Sequence, residues 1–335
     1  MNRVQRFDGM AAVPGDLGPT VVTVGMFDGV HRGHRALLGR VAAEAAARGV
    51  PAAAVTFDRH PLAVLRPGAE PPLLTTLGRK VELLGVAGME VVLVLPFTRE
   101  LSEVGAETFA TEVLFQGLQA RAVVVGENFR FGHKAAGDPA LLAGLGRPRG
   151  IEVVAVPLQA SGDQVVSSTR VRSELAAGDV AAAADSLGRP YAVEGVVVAG
   201  DRRGGPVLGI PTANLDVPGG IALPAEGVYA GHLTELYDGV ARMAAVSVGT
   251  NPQFGTDPQS GTEVRVEAHV LDFDGDLYGR PVSVDFQAHL RAQAVFAGVD
   301  ELVAQIRRDI DQTRRLLSSS PGGRVQTGGF SRPTP

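Results

Sequence analysis

The chain of 335 residues contains no cysteine, which excludes disulfides, thiolate metal sites and a cysteine nucleophile together. It also lacks an excess of basic charge: 31 Lys and Arg against 36 Asp and Glu leave a formal net charge of -5. A general nucleic-acid binder would show a basic stripe, so no nucleic-acid partner is expected, though room remains for a local basic pocket. Long hydrophobic runs are missing too. The longest apolar stretches, such as Val91 to Pro96, fall far short of the roughly 20 residues that span a bilayer. Arg3, Arg6 and Asp8 have no apolar segment behind them, so no signal peptide is expected. A cytoplasmic protein without membrane contact is the expectation. No internal repeat is visible. What is present, 45% hydrophobic and 20% charged residues, is ordinary for a globular protein, and the length accommodates two domains with a core each.

Residues 1–185 alternate short apolar runs, at 21–26, 52–57, 90–95, 122–126 and 151–156, with helix-like patterns near 33–48, 78–88 and 105–119. Continuous apolar strands separated by helices predict a Rossmann-like parallel sheet covered on both faces. After about residue 186 the pattern changes to Val- and Tyr-rich strands spaced by Gly, Pro and Asp, at 191–199, 227–234, 241–248, 263–270 and 280–289. That predicts an all-β barrel or sandwich over 186–317, closed by a helix from Val299 to Leu317. Residues 318–335, rich in Ser, Gly and Pro, are expected to be a disordered tail.

Ligands of a parallel sheet sit beyond the carboxyl ends of its strands, and polar motifs fall there. Gly25-Met26-Phe27-Asp28-Gly29-Val30-His31-Arg32-Gly33-His34 joins the first run to a helix. A helix start offers unpaired N–H groups and a positive dipole end to an anion. His31 and His34 can reach the same anion there, and Gly33 lets the backbone approach closely. Metal binding, or two surface histidines, is the alternative. His60 follows the second run and Asn128 the fourth. Phe129 and Phe131 flank Arg130 and could cover a planar ring, or pack in the core. Ser168, Thr169 and Arg172 open a short helix as a second phosphate grip, where simple capping is the competing role. No acid/base pair or activated nucleophile stands in this half. Nucleotidyl transfer does not need one, because the substrate supplies the attacking oxygen and the protein supplies position and charge.

In the second half a glycine-rich basic loop, with Gly200, Arg203, Gly204 and Gly209, leads into Ile210-Pro211-Thr212-Ala213-Asn214. Thr212 and Asn214 present neutral oxygens suited to a Mg²⁺ already carried by nucleotide phosphates, or they form a turn. In Val266–Val270 strict alternation places Glu267 and His269 opposite Val266, Ala268 and Val270. Glu267 could accept a proton from a substrate hydroxyl there, or be a solvated outward carboxylate.

Together and in this order, the Gly-x-Phe-Asp-Gly-x-His-x-Gly-His, Gly-Glu-Asn-Phe-x-Phe-Gly and Ser-Ser-Thr-x-Val-Arg motifs resemble the adenylyltransferase half of the bacterial bifunctional riboflavin kinase/FMN adenylyltransferase family. The glycine loop, Pro-Thr-Ala-Asn, the Glu267 strand and the final helix resemble its kinase half. The resemblance covers about residues 18–317. It implies MgATP-dependent phosphorylation of riboflavin to FMN in the C-terminal half, and adenylylation of FMN to FAD with loss of pyrophosphate in the N-terminal half. It implies that Gly25, Phe27, Asp28, His31, Gly33, His34, Ser168, Thr169 and Arg172 bind ATP and its phosphates, His31 and His34 acting catalytically. His60, Asn128 and Phe129 would then lie at the flavin or nucleotide. Gly200, Arg203, Gly204, Gly209 and Pro211 would form the kinase ATP loop, Thr212 and Asn214 would hold Mg²⁺, Glu267 would be the general base, and Arg291 would belong to a flavin-side flap. Gln293 and Val295 stand where the family commonly has an acidic residue and a lysine, and Gln253 and Gly204-Gly205 depart from its pattern as well. Those departures motivate one rival, an FMN adenylyltransferase whose kinase half is inactive and only senses flavin. An adenylyltransferase for another small phosphate is a second rival, and it would have no use for the barrel.

Overall fold

The computed structural model describes residues 4–157, 160–161, 164–199, 210–249 and 264–318. Gly200, Arg203, Gly204 and Gly209 of the expected ATP loop, the 251–254 segment and the expected tail beyond Ser318 lie outside the described residues. The chain divides into two compact units, Met1–Ser168 and Thr169–Pro335.

In the first unit, strands β1 (Gln5–Asp8), β2 (Thr20–Val24), β3 (Ala52–Phe57), β4 (Val91–Leu95), β5 (Ala120–Gly126) and β6 (Glu152–Val156) form a sheet. Its order is β1-β4-β3-β2-β5-β6, and its strands pair in parallel. Helices α1 (Arg32–Arg48), α2 (Leu62–Leu65), α3 (Leu77–Val86), α4 (Arg99–Glu103), α5 (Ala106–Phe109) and α6 (Pro139–Gly146) connect them, and α5 runs on into a π-helical stretch, Ala110–Gly117. Successive strand side chains point to opposite faces, and both faces are buried. Val22, Val24, Val55, Leu93 and Val123 pack with Phe109 and Leu114 on one side. Val21, Ala54, Val92 and Val124 pack with Leu38 and Val41 of α1 and Leu84 of α3 on the other. This is why the strands read as unbroken apolar runs. β1 is an edge strand with no such run, and sequence patterning did not point to it. The chain moves to one side of β2 with β3 and β4, then returns to its other side with β5, so the order reverses between β2 and β5. A crevice beyond the carboxyl ends is expected at that switch point. A short hairpin, β7 (Ala160–Ser161) with β8 (Gln164–Val165), precedes the next helix.

In the second unit α7 (Ser168–Ala176) and α8 (Val180–Leu187) precede strands β9 (Tyr191–Val198), β10 (Ala213–Asp216), β11 (Gly227–Glu235), β12 (Ala241–Gly249), β13 (Arg265–Val270), β14 (Pro281–Phe286) and β15 (Ala288–Arg291), and α9 (Val299–Ser318) follows. The antiparallel order β12-β13-β10-β9-β14-β11 closes through a β11–β12 pairing, and β15 extends along β11. Closure removes the exposed sheet edges an open sheet would present. The expected strand 280–289 is in fact two, because the chain breaks at Gln287, whose N–H bonds to the Ala230 carbonyl at 2.8 Å. The compact units divide ahead of the expected 185/186 boundary. The physical tie is within the second unit, where the Ala225 amide donates to the Leu175 carbonyl of α7 at 2.9 Å and Tyr229 anchors the Ala225 carbonyl.

Candidate functional site

The turn between β2 and α1 is strained and deeply packed. Phe27 and Val30 adopt positive φ, 49° and 40°, a region that costs a β-branched residue free energy and persists only where packing imposes it. Both are about 1% exposed. His31 is the N-cap of α1, and its Nδ1 accepts the His34 amide at 3.3 Å. Because Nδ1 is an acceptor here, a ring proton of neutral His31 sits on Nε2. The His31 and His34 rings stack with centroids 3.6 Å apart. A Cβ on Gly33 would come within 3.1 Å of the His31 ring and 3.3 Å of the Val166 carbonyl, so glycine there is a matter of close approach.

Among the described residues, His34 Nδ1 is enclosed with no hydrogen-bond partner. Burial first, and then the neighbouring His31 and Lys80, hold His34 well below its ordinary pKa of 6.5. A neutral imidazole at a helix mouth can donate to an anion without bringing a second full charge. The same shift affects stability. In the unfolded chain His34 takes up a proton near pH 6.5 that the folded chain refuses, so stability is lost as pH falls below that value. Urea unfolding at pH 7.5 and 5.5 should show a drop that His34→Gln reduces. An unchanged drop would place the effect elsewhere.

Asp28 also holds the turn together. It is 3% exposed, its carboxylate accepts the Leu74 amide at 2.9 and 3.1 Å, and its backbone carbonyl accepts Ser168 Oγ at 2.9 Å. Ser168 is thereby brought to the histidine turn. Thr169 and Arg172 follow it on α7 and count with the second unit. His60 Nδ1 accepts the Leu62 amide at 3.1 Å. Beside it, Asp58 accepts the Phe97 amide at 2.8 Å and pairs with Arg59. Asn128 is exposed at the end of β5, and Phe129 stacks on Phe131 with centroids 5.3 Å apart. Lys80, which sequence reasoning passed over, is 5% exposed, and its Nζ donates to the Phe57 carbonyl at 2.7 Å. Burial pulls its pKa down to about 8, against the upward pull of Asp28 and Asp58. The missed signal is its place on the apolar stripe Leu77, Val81 and Leu84.

In the barrel, Asn214 of β10 lies directly opposite Glu267 of β13, so the two side chains share one face. Ser247 of β12 stands opposite Glu267 on its other side. Val266, Ala268 and Val270 point to the buried side, as the alternation predicts. His269 Nδ1 donates to the Pro211 carbonyl at 2.8 Å, which pins the start of β10 beside β13 and places Thr212 on this rim. A pocket adjoins Thr212, lined by Val197, Pro211, Val270, Phe273, Asp274 and Tyr278. Gln293 donates to Ser247 Oγ at 2.9 Å and to the Val248 carbonyl at 3.1 Å. A carboxylate at this position could not donate to that carbonyl.

Arg291 is committed to a structural partner. It makes a bidentate pair with Asp309 of α9, Nε to Oδ1 at 3.2 Å and Nη2 to Oδ2 at 2.9 Å, and Gln305 donates to Asp309 Oδ1 at 2.8 Å. Its guanidinium lies 5.6 Å from the Phe296 ring centroid. Asp309 is 4% exposed. Removing one partner of a buried pair leaves the other charge uncompensated, so Asp309→Ala should cost about 3–5 kcal/mol in the second unit. Denaturant unfolding measures it, and a loss under about 1 kcal/mol would show the pair to be solvated.

Fold and site define a two-unit chain: a parallel α/β sheet with a histidine pair at its switch point, and a closed barrel with an amide and a carboxylate in register. Profiles of two families divide the chain in the same way, FAD synthetase over residues 14–170 and riboflavin kinase over residues 187–317. The chain belongs to the bifunctional riboflavin kinase/FMN adenylyltransferase family. It is 36% identical over 293 residues to the protein of that description from Escherichia coli (strain K12), covering 86% of this chain and 90% of that one. The Bacillus subtilis (strain 168) protein of the same description is 30% identical over 305 residues, covering 90% and 93%. A crystal structure described as a macrolide-efflux protein from Streptococcus pneumoniae superposes with a TM-score of 0.81 at 28% identity, over 93% of this chain and 99% of that one. Among the described residues no helix of the present chain is long and apolar enough to cross a membrane.

Proposed function

We propose that this chain makes FAD from riboflavin in two ATP-dependent steps. Residues 186–317 transfer the γ-phosphoryl group of MgATP to the ribityl 5′-hydroxyl of riboflavin, giving FMN and ADP. Residues 1–185 then join the FMN phosphate to the AMP part of a second ATP, giving FAD and pyrophosphate. The observation that carries this reading is the retention of both constellations on one chain of this family, each on the element its chemistry needs.

In the kinase step Glu267 takes the hydroxyl proton as the hydroxyl oxygen attacks phosphorus. Asn214, opposite it, and Thr212 supply neutral oxygens for a Mg²⁺ that arrives with the nucleotide. Among the described residues no cluster of three or more His, Cys, Asp or Glu could hold a metal by itself. Two neutral oxygens beside a carboxylate suit a hard cation that keeps phosphate and water ligands. When bound, Mg²⁺ would neutralise charge developing on the phosphates. The pocket beside Thr212, with Phe273 as an aromatic wall, suits the purine ring.

In the adenylylation step the FMN phosphate oxygen attacks the α-phosphorus of ATP, and negative charge grows on the departing pyrophosphate. His31 Nε2–H, the His34 imidazole and the α1 N-terminus donate to that charge. Ser168, Thr169 and Arg172 extend the grip on the pyrophosphate, and His60, Asn128 and Phe129 face the flavin or nucleotide. Arg291 serves the flavin side indirectly, by tying β15 to α9. The substrates are small molecules: riboflavin, FMN and ATP.

Incubating the protein with riboflavin and MgATP, then separating the products, tests the reading. FMN and FAD together are expected. FAD from supplied FMN alone would leave the inactive, flavin-sensing kinase half as the correct account, and no flavin product would overturn both.

A further inference from the structure

The segment Leu74–Lys80 lies behind the histidine turn and holds both loops that frame it. The Leu74 amide bonds to the Asp28 carboxylate, the Gly29 amide donates to Thr75 Oγ1 at 3.4 Å, and Lys80 Nζ bonds to the Phe57 carbonyl at the end of β3. Thr76 caps α3 by accepting the Arg79 amide at 3.1 Å, which fixes the first turn from which Lys80 projects. Packing gives no reason for an ammonium at this place. Val81 and Leu84 already fill the interface with the sheet, and burying a charge is costly unless it is paired. The charged groups around Lys80 all belong to the carboxyl ends of the strands: Asp28 after β2, Asp58 after β3 and His34 at the mouth of α1, with His31 stacked on His34.

We propose that Lys80 is a positioning residue for the adenylyl transfer: its buried ammonium, bonded to the Phe57 carbonyl at the end of β3, attracts the carboxylates behind the histidine turn and so sets where His31 and His34 stand. This rests on the adenylyl-transfer reading given above. Lys80 does not touch the anion. It acts through Asp28, which is itself part of the turn, and through the Asp58 loop, which Phe97 and Arg59 hold from the other side. A second consequence is electrostatic. A fixed cation beside His34 disfavours the imidazolium, so the imidazole meets the anion as a neutral donor whose position does not change with its charge. With a pKa of about 8, Lys80 keeps its proton at neutral pH and gives it up in mild alkali, so FAD formation should decline as pH rises through about 8.

The test compares the full-length wild type with Lys80→Met and Lys80→Arg. Methionine keeps the length and packing without the charge. Removing one charge from a buried set also costs stability, so Lys80→Arg, which keeps the charge, and unfolding of both variants separate lost positioning from lost fold. Lys80→Met is expected to lower kcat for FAD formation from FMN and MgATP by about 10–10²-fold, as a small misplacement of catalytic groups does. KM for ATP should change by less than about threefold, and riboflavin phosphorylation should be unchanged. Lys80→Arg should recover most of the turnover and carry the alkaline limb beyond its wild-type position. Proton NMR titration of the imidazoles, feasible with 7 histidines in the chain, should show the His34 midpoint moving upward in Lys80→Met. Turnover of Lys80→Met within twofold of wild type, or arginine recovering no more activity than methionine, would overturn the proposal. The imidazole titration needs no substrate. A wild type that makes no FAD would therefore refute the adenylyl-transfer reading, while a stationary His34 midpoint in Lys80→Met refutes the placement of Lys80.

Discussion

Glu267→Gln should stop the conversion of riboflavin to FMN while leaving FAD formation from supplied FMN intact. Glutamine preserves the shape of the side chain and its ability to hydrogen bond, but it cannot take a proton from an attacking hydroxyl. General-base catalysis is worth ~10²–10⁴-fold, and the kinase step should fall by that amount. The register explains why neither cross-strand neighbour can substitute. Asn214 and Ser247 stand directly opposite Glu267 on either side, and neither an amide nor a hydroxyl accepts a proton near neutral pH. FAD formation should stay within twofold of wild type because its residues lie in the other half of the chain. The two products are read in one chromatogram. Persistence of FMN formation would remove Glu267 from the chemistry, and equal loss of both products would show the halves to be coupled.

The converse loss is expected of His31→Ala. FAD formation from FMN and ATP should drop by ~10²–10³-fold, the usual effect of deleting a donor aimed at developing negative charge, with FMN formation from riboflavin preserved. Two effects of this substitution can be separated. Losing the acceptor for the His34 amide removes the cap of α1, which costs about 1 kcal/mol of stability and shows in unfolding. Losing the Nε2–H donor shows in kcat. His31→Asn restores a capping oxygen without restoring the imidazole, so it should regain stability and remain slow. If His31→Asn recovered both, the role of His31 would be structural.

Much of this architecture was legible along the chain because its physical causes are local. Strands buried on both faces must be apolar throughout, so β2, β3, β4 and β5 announced themselves, and the helix periodicity between them marked a parallel sheet. Strict alternation in Val266–Val270 located Glu267 on the outward face. β1 was silent because an edge strand of four residues needs backbone pairing with β4 and little apolar surface. The break at Gln287 was silent as well, since both flanking stretches alternate well enough to be one strand. The Asp28 carboxylate accepts the amide of Leu74, a residue 46 positions away, and no local pattern encodes such a partner. The pairing of Arg291 with Asp309 was silent for the same reason.

By itself, then, the sequence determined the two kinds of sheet, the order of the motifs and the family, because periodicity, turn chemistry and motif spacing are properties of neighbouring residues. Tertiary structure alone decided which partners the polar groups meet. It set Asn214 against Glu267 by strand register, buried Lys80 close to the charges of Asp28 and Asp58, and gave Asp28 and Arg291 partners far away in sequence. The physical reason is that the availability of a side chain depends on what surrounds it in space. Desolvation and hydrogen bonding are set by residues far apart in the chain, and they come together only when the sheet and the barrel close.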